Sequence, residues 1–190
     1  MDLNQNSYAW YAIYTQVFKE KRVLDYLTRI GIECYLPARR TLRQWSDRKV
    51  WLNEPLFPRY VFVRVSNFEF FDVYTAPGVI SYVMFDGKAQ SVPAWQIDQI
   101  RKMISQQERE VNVSREHIEK GQQAEIIFGP FKGIVGEVIR VCGDYRIVVR
   151  IDTLGCHVYA TVTAGELRIL NVHPAGRTPV IKNNHYPHCG

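Results

Sequence analysis

The chain has few features of secreted, membrane or metal-binding proteins. Its four cysteines among 190 residues are widely scattered and include no CxxC pair, which argues against a disulfide framework, and we expect reduced thiols. No basic leader with an apolar core opens the sequence, and no apolar run approaches membrane-spanning length. We therefore expect a cytoplasmic protein without a membrane partner.

Motifs of the common enzyme classes are also missing. The sequence contains no HExxH, no GxSxG, no phosphate-binding GxxxxGKS and no Cys/His pair at a meaningful spacing. His173, His185, His188 and Cys189 fit no ligand pattern, so we predict no metal site and no cofactor. We expect no catalytic residues and a protein that is not an enzyme.

Positive charge is concentrated in the first half of the chain. The formal net charge is +5, and residues 19–64 hold eleven Lys or Arg against five Asp or Glu. Residues 111–170 hold seven basic and seven acidic side chains, so that segment is neutral. A nucleic-acid-binding surface needs cations for the phosphates, and we expect it in the first half.

The first half alternates between strand-like and helix-like patterns. Apolar spacings predict strand 10–15, helix 17–30, a hairpin turning at 46–49, strand 60–65, helix 68–75, strand 79–85 and a helix opened by Pro93. This order is typical of an α+β sandwich with a mostly antiparallel sheet in a split βαβ layout.

The strand at 60–65 is apolar on both faces. Valines at alternate positions form one face, and Tyr60 and Phe62 form the other. One face can pack against the helices, so the aromatic face needs a cover, either another part of this chain or another protein.

Basic and aromatic residues are interleaved in two places. Lys19, Arg22, Tyr26 and Arg29 share one side of the first helix, although a solvated helix face explains this stripe equally well. The hairpin adds Trp45 and five cations, namely Arg39, Arg40, Arg43, Arg48 and Lys49. Cations that follow phosphates and rings that stack on unpaired bases suit a single-stranded nucleic acid.

The glycines of residues 121–151 fall where a small barrel has to turn. Gly129-Pro130 follows one strand, Gly133 and Gly136 flank a short loop, and Gly143-Asp144 closes a hairpin. This segment, extended to about residue 170, resembles the KOW motif, an SH3-like barrel that binds proteins or RNA. The alternative is another five-stranded barrel with tight turns.

Three segments ahead of the barrel carry a second resemblance, over residues 8–105. WYAIYT, EPLFPRYVFV and APGVISYVMF, in this order before a KOW module, resemble the NusG family of transcription factors, nearest to specialised paralogues such as RfaH and the capsular-polysaccharide operon antiterminators. The resemblance implies an NGN-like α+β domain that binds the clamp helices of RNA polymerase, contacts single-stranded non-template DNA in the transcription bubble, and suppresses pausing and termination at specific operons such as surface-polysaccharide loci.

The same resemblance implies the sites. The polymerase-binding patch would contain Tyr14, Phe57, Pro58, Tyr60 and Phe62, unless these rings are buried under the third helix. DNA contacts are expected from matched positions at Lys19, Lys21 and Arg22 and, from the charge block alone, at Arg29, Arg39, Arg40 and Arg43. Pro77 and the segment 69–72 depart from the RfaH pattern, so we do not expect the same DNA preference or the same contact with the opposite pincer of the polymerase.

The KOW barrel of the family recruits Rho or a ribosomal protein. Here Phe128, Phe131 and Ile134 are the corresponding candidates, with core packing as the alternative. The Ile/Val-rich runs at 138–141 and 147–151 favour strands, so we predict a constitutive barrel rather than a helical hairpin.

These inferences give a domain plan and a rival function. We predict a flexible start at 1–7, an NGN-like domain at 8–105, a linker at 106–120, a KOW domain at 121–170 and a disordered tail at 171–190, in a monomer. The alternative function is a ribosome-associated KOW protein that binds RNA, although a barrel that gripped ribosomal RNA should be basic and this one is neutral.

Overall fold

The computed structural model describes residues 7–106, 109–117 and 121–170. The predicted flexible start (Ser7 apart), the predicted disordered tail and the histidines of the tail lie outside the described residues. The amino-terminal part contains α1 (Glu20–Arg29), α2 (Ala94–Ser105) and a 3-10 turn at Asp72–Thr75, together with strands β1 (Ala9–Thr15), β2 (Glu33–Tyr35), β3 (Ala38–Gln44), β4 (Lys49–Pro55), β5 (Tyr60–Val65), β6 (Val79–Tyr82), β7 (Met84–Phe85), β8 (Lys88–Ala89) and β9 (Ser91–Val92).

Strand β1 lies at the centre of the amino-terminal sheet. The order is β2-β5-β1-β6 with β9 also paired to β1, and every pairing is antiparallel. Strands β3 and β4 form a separate two-stranded hairpin, and β7 and β8 form another. The predicted α+β class with a mostly antiparallel sheet is therefore confirmed.

One face of this sheet packs against α1. Ile13, Val61 and Val63 share a buried cluster with Val23 and Leu27, which lie four residues apart on one side of the helix. Helix α1 begins with an acidic residue in its first turn, which suits the positive end of the helix dipole, and it ends before Gly31 in the left-handed region.

The opposite face packs against α2. Trp10, Ala12 and Phe62 share a second buried cluster with Ile97 and Ile100 of that helix. The Arg101 guanidinium of α2 lies 5.1 Å from the Trp10 ring centroid and 4.8 Å from that of Tyr35. The cover that the aromatic face of β5 needs is thus supplied by this chain.

The carboxyl-terminal part is all β. Its strands are β10 (Asn112–Ser114), β11 (Gln122–Ile126), β12 (Val135–Val141), β13 (Asp144–Ile151), β14 (Cys156–Val162) and β15 (Leu167–Ile169), with 3-10 turns at Asp152–Leu154 and Ala164–Glu166. They form one antiparallel sheet in the order β10-β14-β13-β12-β11-β15. Gly121 precedes β11 where a Cβ atom would lie 2.2 Å from the Val138 carbonyl oxygen, so only glycine fits there.

Part of the predicted linker belongs to this all-β domain. Residues Asn112–Ser114 form β10 and pair with β14. Arg109 donates to both carboxylate oxygens of Glu166 at 2.9 and 2.7 Å. The segment between the domains is therefore attached to the second domain along much of its described length.

The two domains share one buried cluster. It runs from Trp10, Phe62 and Ile100 to Ile126 and Ile147 of the all-β domain. Hydrogen bonds also join the domains. The Val135 N–H donates to Gln99 Oε1 at 3.1 Å, and Arg39 Nη1 donates to the Val111 carbonyl oxygen at 3.2 Å. The domains are in direct contact in this structure.

The cysteines differ in state. Cys34 and Cys156 carry free thiols, and burial raises their pKa to about 12 and about 11. Cys142 is not one of the free thiols among the described residues. Among the helices in the described ranges, none is long and apolar enough to cross a membrane.

Candidate functional site

Two tyrosines form a half-buried pair at one end of the amino-terminal sheet. Tyr14 of β1 and Tyr60 of β5 are cross-strand partners, and their ring centroids lie 5.3 Å apart. The Arg59 guanidinium carbon lies 4.2 Å from the centroid of the Tyr14 ring, which is a cation–π distance. We call Tyr14, Pro58, Arg59 and Tyr60 the tyrosine surface.

A buried carboxylate holds the loop that carries this surface. Glu20, in the first turn of α1, accepts a hydrogen bond from the Arg59 N–H at 2.7 Å. Arg59 has a φ of 71°, an unusual value for a residue with a side chain, and its carbonyl oxygen accepts from the Thr15 N–H at 2.8 Å. Helix α1 and the loop before β5 are thereby joined.

Of the five residues predicted for the polymerase-binding patch, two are buried. Phe57 and Phe62 expose 3% and 0% of their surface and contact each other edge to face, with centroids 5.7 Å apart. Pro58 is exposed, and Tyr14 and Tyr60 are half-buried. In this arrangement only those three present surface to a partner, and Phe57 and Phe62 act as the packing beneath them.

Basic residues at the start of α1 adjoin the tyrosine surface. Lys21 and Arg22 are exposed and Lys19 is half-buried, and all three lie within two residues of Glu20, which contacts the tyrosine loop. Gly78 lies against the same helix start, since a Cβ atom there would be 3.0 Å from the Lys19 Cβ. An open groove of about 630 Å³ runs along the helix and is lined by Arg22, Asp25, Tyr26, Arg29 and Pro77.

The remaining predicted DNA contacts divide into arginines that bind polar groups of the chain and arginines that contact aromatic rings. Arg39 is half-buried and donates to Asn112 Oδ1 at 2.6 Å, and Arg43 forms an ion pair with Glu54 at 2.7 Å. Arg29 and Arg40 are exposed and contact the Tyr26 and Trp51 rings respectively.

The three predicted partner-binding residues of the all-β domain also divide. Phe128 exposes 63% of its surface, whereas Phe131 and Ile134 each expose 1% and belong to the cluster shared between the domains. Phe128 is the one candidate of the three that is accessible in this arrangement.

Arg59 and Glu20, whose hydrogen bond holds the tyrosine surface, were not predicted as site residues from the sequence. Arg59 was counted only within the basic block, and Glu20 only as one of its five acids. Neither has a sequence signal beyond its charge, because the contacts join residues 39 positions apart. Within the described part of the chain, no group of three or more His, Cys, Asp or Glu side chains is placed to hold a metal ion.

The fold defines a protein with an α+β domain joined to a small all-β domain. Residues 8–101 match the family model described as "Transcription termination factor nusG". The chain is 25% identical over 158 residues to the transcription termination/antitermination protein NusG of Staphylococcus carnosus, which covers 77% of this chain and 87% of that protein. A solved structure titled "Domain interaction in Thermotoga maritima NusG" matches with 23% identity, 87% coverage of this chain, 98% coverage of that chain and a TM-score of 0.45.

Over residues 8–101 the chain matches the NusG family, and this match and the relative together support a transcription termination/antitermination factor. The predicted family and the predicted fold class, an NGN domain followed by a small all-β KOW domain, are confirmed. The predicted nearness to specialised paralogues such as RfaH stays a prediction.

Proposed function

We propose that this factor binds the clamp helices of RNA polymerase through the tyrosine surface and suppresses pausing and termination. The observation that carries the proposal is the Tyr14–Tyr60 pair, which is half-buried and lies beside Arg59, whose N–H is hydrogen-bonded to Glu20. Aromatic rings with a polar edge are common anchors of protein interfaces, because they bury a large area at a low entropic cost.

The contact of Glu20 with the Arg59 N–H supports a second part of the proposal. Because it brings the start of α1 against the tyrosine surface, Lys19, Lys21 and Arg22 would lie beside the polymerase-bound face. We propose that these cations contact the phosphates of the non-template strand in the transcription bubble. Cations that can reach flexible single strands give a salt-dependent affinity without base pairing.

The KOW domain is proposed to recruit a further component, such as Rho or a ribosomal protein, through Phe128. Its exposed ring at the turn after β11 supports this role. The factor is proposed to act at particular operons, such as surface-polysaccharide loci, in the cytoplasm, as a monomer and without catalytic turnover.

The proposal is tested by transcription through an intrinsic terminator with purified RNA polymerase. Tyr60→Ala should lower readthrough and weaken polymerase binding about thirtyfold, which corresponds to an interface anchor of about 2 kcal/mol. Tyr159→Ala is the matched control, because Tyr159 is also half-buried under a guanidinium, that of Arg146 at 4.6 Å, but lies in the KOW domain. Equal readthrough by the two folded variants would refute the tyrosine surface as the polymerase contact.

A further inference from the structure

The β3–β4 hairpin has two different faces. In its register Arg39 pairs with Glu54, Arg43 with Val50, and Thr41 with Leu52, so these six side chains share one face, which is mostly half-buried. The other face consists of Arg40, Leu42, Gln44, Lys49, Trp51 and Asn53, and all six are exposed. We call these the inner and the outer face.

The cations of the inner face are engaged within the chain. Arg43 donates from Nε and Nη2 to the two Glu54 carboxylate oxygens, at 2.7 and 3.1 Å. Arg39 donates to the Val111 carbonyl oxygen and to Asn112 Oδ1, and so fixes the hairpin to the segment that enters the KOW domain. The inner face therefore has a structural role, since its two arginines already have partners within the chain.

The outer face is both basic and aromatic, and its recorded side-chain contacts among the described residues lie within the hairpin itself. It contains no Asp or Glu, and no ion pair of Arg40 or Lys49 occurs among residues 7–106, 109–117 and 121–170. Trp51 exposes 55% of its surface, and the Arg40 guanidinium carbon lies 4.7 Å from its ring centroid. Leu42, the cross-strand partner of Trp51, is exposed beside it.

This combination favours one kind of ligand. An uncompensated pair of cations attracts a polyanion, and an exposed indole offers a stacking platform for a planar group. In a duplex the base faces are already stacked on each other, so only an unpaired strand can use both features at once. A protein partner would instead bury the ring against apolar side chains and leave Arg40 and Lys49 to find carboxylates.

We propose that the outer face of the hairpin binds single-stranded DNA, with a base stacked on Trp51 and the flanking phosphates contacted by Arg40 and Lys49. The choice of DNA rests on the proposed function, in which the non-template strand is the unpaired nucleic acid presented to the NGN domain. The site adds Trp51 and Lys49 to the expected DNA contacts and removes Arg39 and Arg43 from them.

The test is a fluorescence-anisotropy titration of labelled oligothymidylate with the full chain. Trp51→Ala should weaken binding about 5-fold to 150-fold, the effect of losing one stacked base, and Trp51→Phe should retain part of the affinity. Arg40→Gln should reduce the slope of log affinity against log salt concentration by about 0.7. Trp95→Ala is the matched control, because Trp95 exposes 54% of its surface and belongs to α2, not to the hairpin.

The DNA-binding site and the polymerase contact are tested by different results. Equal affinity of Trp51→Ala and Trp95→Ala, with both variants folded by circular dichroism, would overturn the inference, and so would tighter binding of oligouridylate or of a duplex. The titration contains no polymerase, so its result is independent of the tyrosine surface. If Tyr60→Ala leaves readthrough equal to that of its control while the full chain still binds oligothymidylate, the polymerase contact is rejected and the DNA-binding site is not.

Discussion

Glu166 connects three parts of the KOW domain and its approach segment. Its carboxylate accepts hydrogen bonds from the Thr163 N–H and hydroxyl at 2.7 and 2.9 Å, as well as from the Arg109 guanidinium. Burial by itself would raise the pKa of Glu166, but the Thr163 N–H and Arg109 together hold it below its ordinary value. The charged form is thus the one that stabilises the fold.

This carboxylate should make stability depend on pH. Because the folded-state pKa lies below the ordinary value of 4.5, its contribution is complete above that value and is lost as the pH falls through the folded-state pKa. Glu166→Gln should lower the free energy of unfolding at neutral pH by about 1–3 kcal/mol, since hydrogen bonds to a charged group are lost.

Urea denaturation at neutral pH and below pH 4.5 measures this difference. The gap between Glu166→Gln and the parent chain should narrow in acid, while the exposed Glu116→Gln should match the parent at both values. A gap of unchanged size in acid would show that Glu166 acts through packing and not through its charge.

At the scale of elements, α1 links two proposed contacts. Its buried side packs on the sheet, its first turn holds the tyrosine loop, and its exposed start carries Lys21 and Arg22. The charge of its exposed start can therefore be changed without altering the buried side of the helix.

Replacement of two α1 cations should change the salt dependence of single-strand DNA binding. The Lys21→Gln/Arg22→Gln variant should reduce the slope of log affinity against log salt concentration by about 1.4, because each lost phosphate contact removes about 0.7. Lys102→Gln, on the exposed side of α2, is the control. A slope equal to that of the control would exclude these side chains from the DNA contact.

Most elements were predictable from the sequence, because their signals are local. The helix that Pro93 opens, the hairpin turning near 46–49 and the strand at 60–65 all occur, with shifts of a few residues at some ends. The predicted helix at 68–75 is reduced to a 3-10 turn at Asp72–Thr75. Two-faced apolar patterning of β5 correctly indicated a covered aromatic face, but periodicity carries no information on which element provides the cover.

The composition of the sites was less predictable for the same reason. Whether Phe62 is buried depends on α2, and whether Arg39 is free depends on Asn112, which lies 73 residues away. Strand β10 was missed because its three residues pair only with β14. Contacts between residues far apart in the sequence cannot be predicted from the spacing of apolar and charged residues.

At the scale of the whole molecule, the two domains are held together by a shared apolar cluster and a few polar contacts. The accepting oxygen of Gln99 and the donating Arg39 are on different elements of the NGN domain, and both contact the second domain or its approach segment. Gln99 and Arg39 can therefore be replaced to test the domain arrangement without changing the buried core residues of either domain.

Removal of both polar contacts should loosen the domain arrangement. The Gln99→Ala/Arg39→Ala variant loses three hydrogen bonds at about 1 kcal/mol each, so the equilibrium constant for separation of the domains should rise about 150-fold. Small-angle X-ray scattering should then give a larger radius of gyration, and amide relaxation should show different tumbling times for the two domains. An unchanged radius of gyration, equal to that of Lys102→Ala, would show that the apolar cluster alone holds the domains.

The outer hairpin face also has a consequence for evolution. None of its six side chains is buried, and the hairpin is anchored by the opposite face. After gene duplication, a daughter copy can therefore alter these positions freely and acquire a different target while it inherits an intact fold. Diversity among paralogues of this kind should accumulate there first.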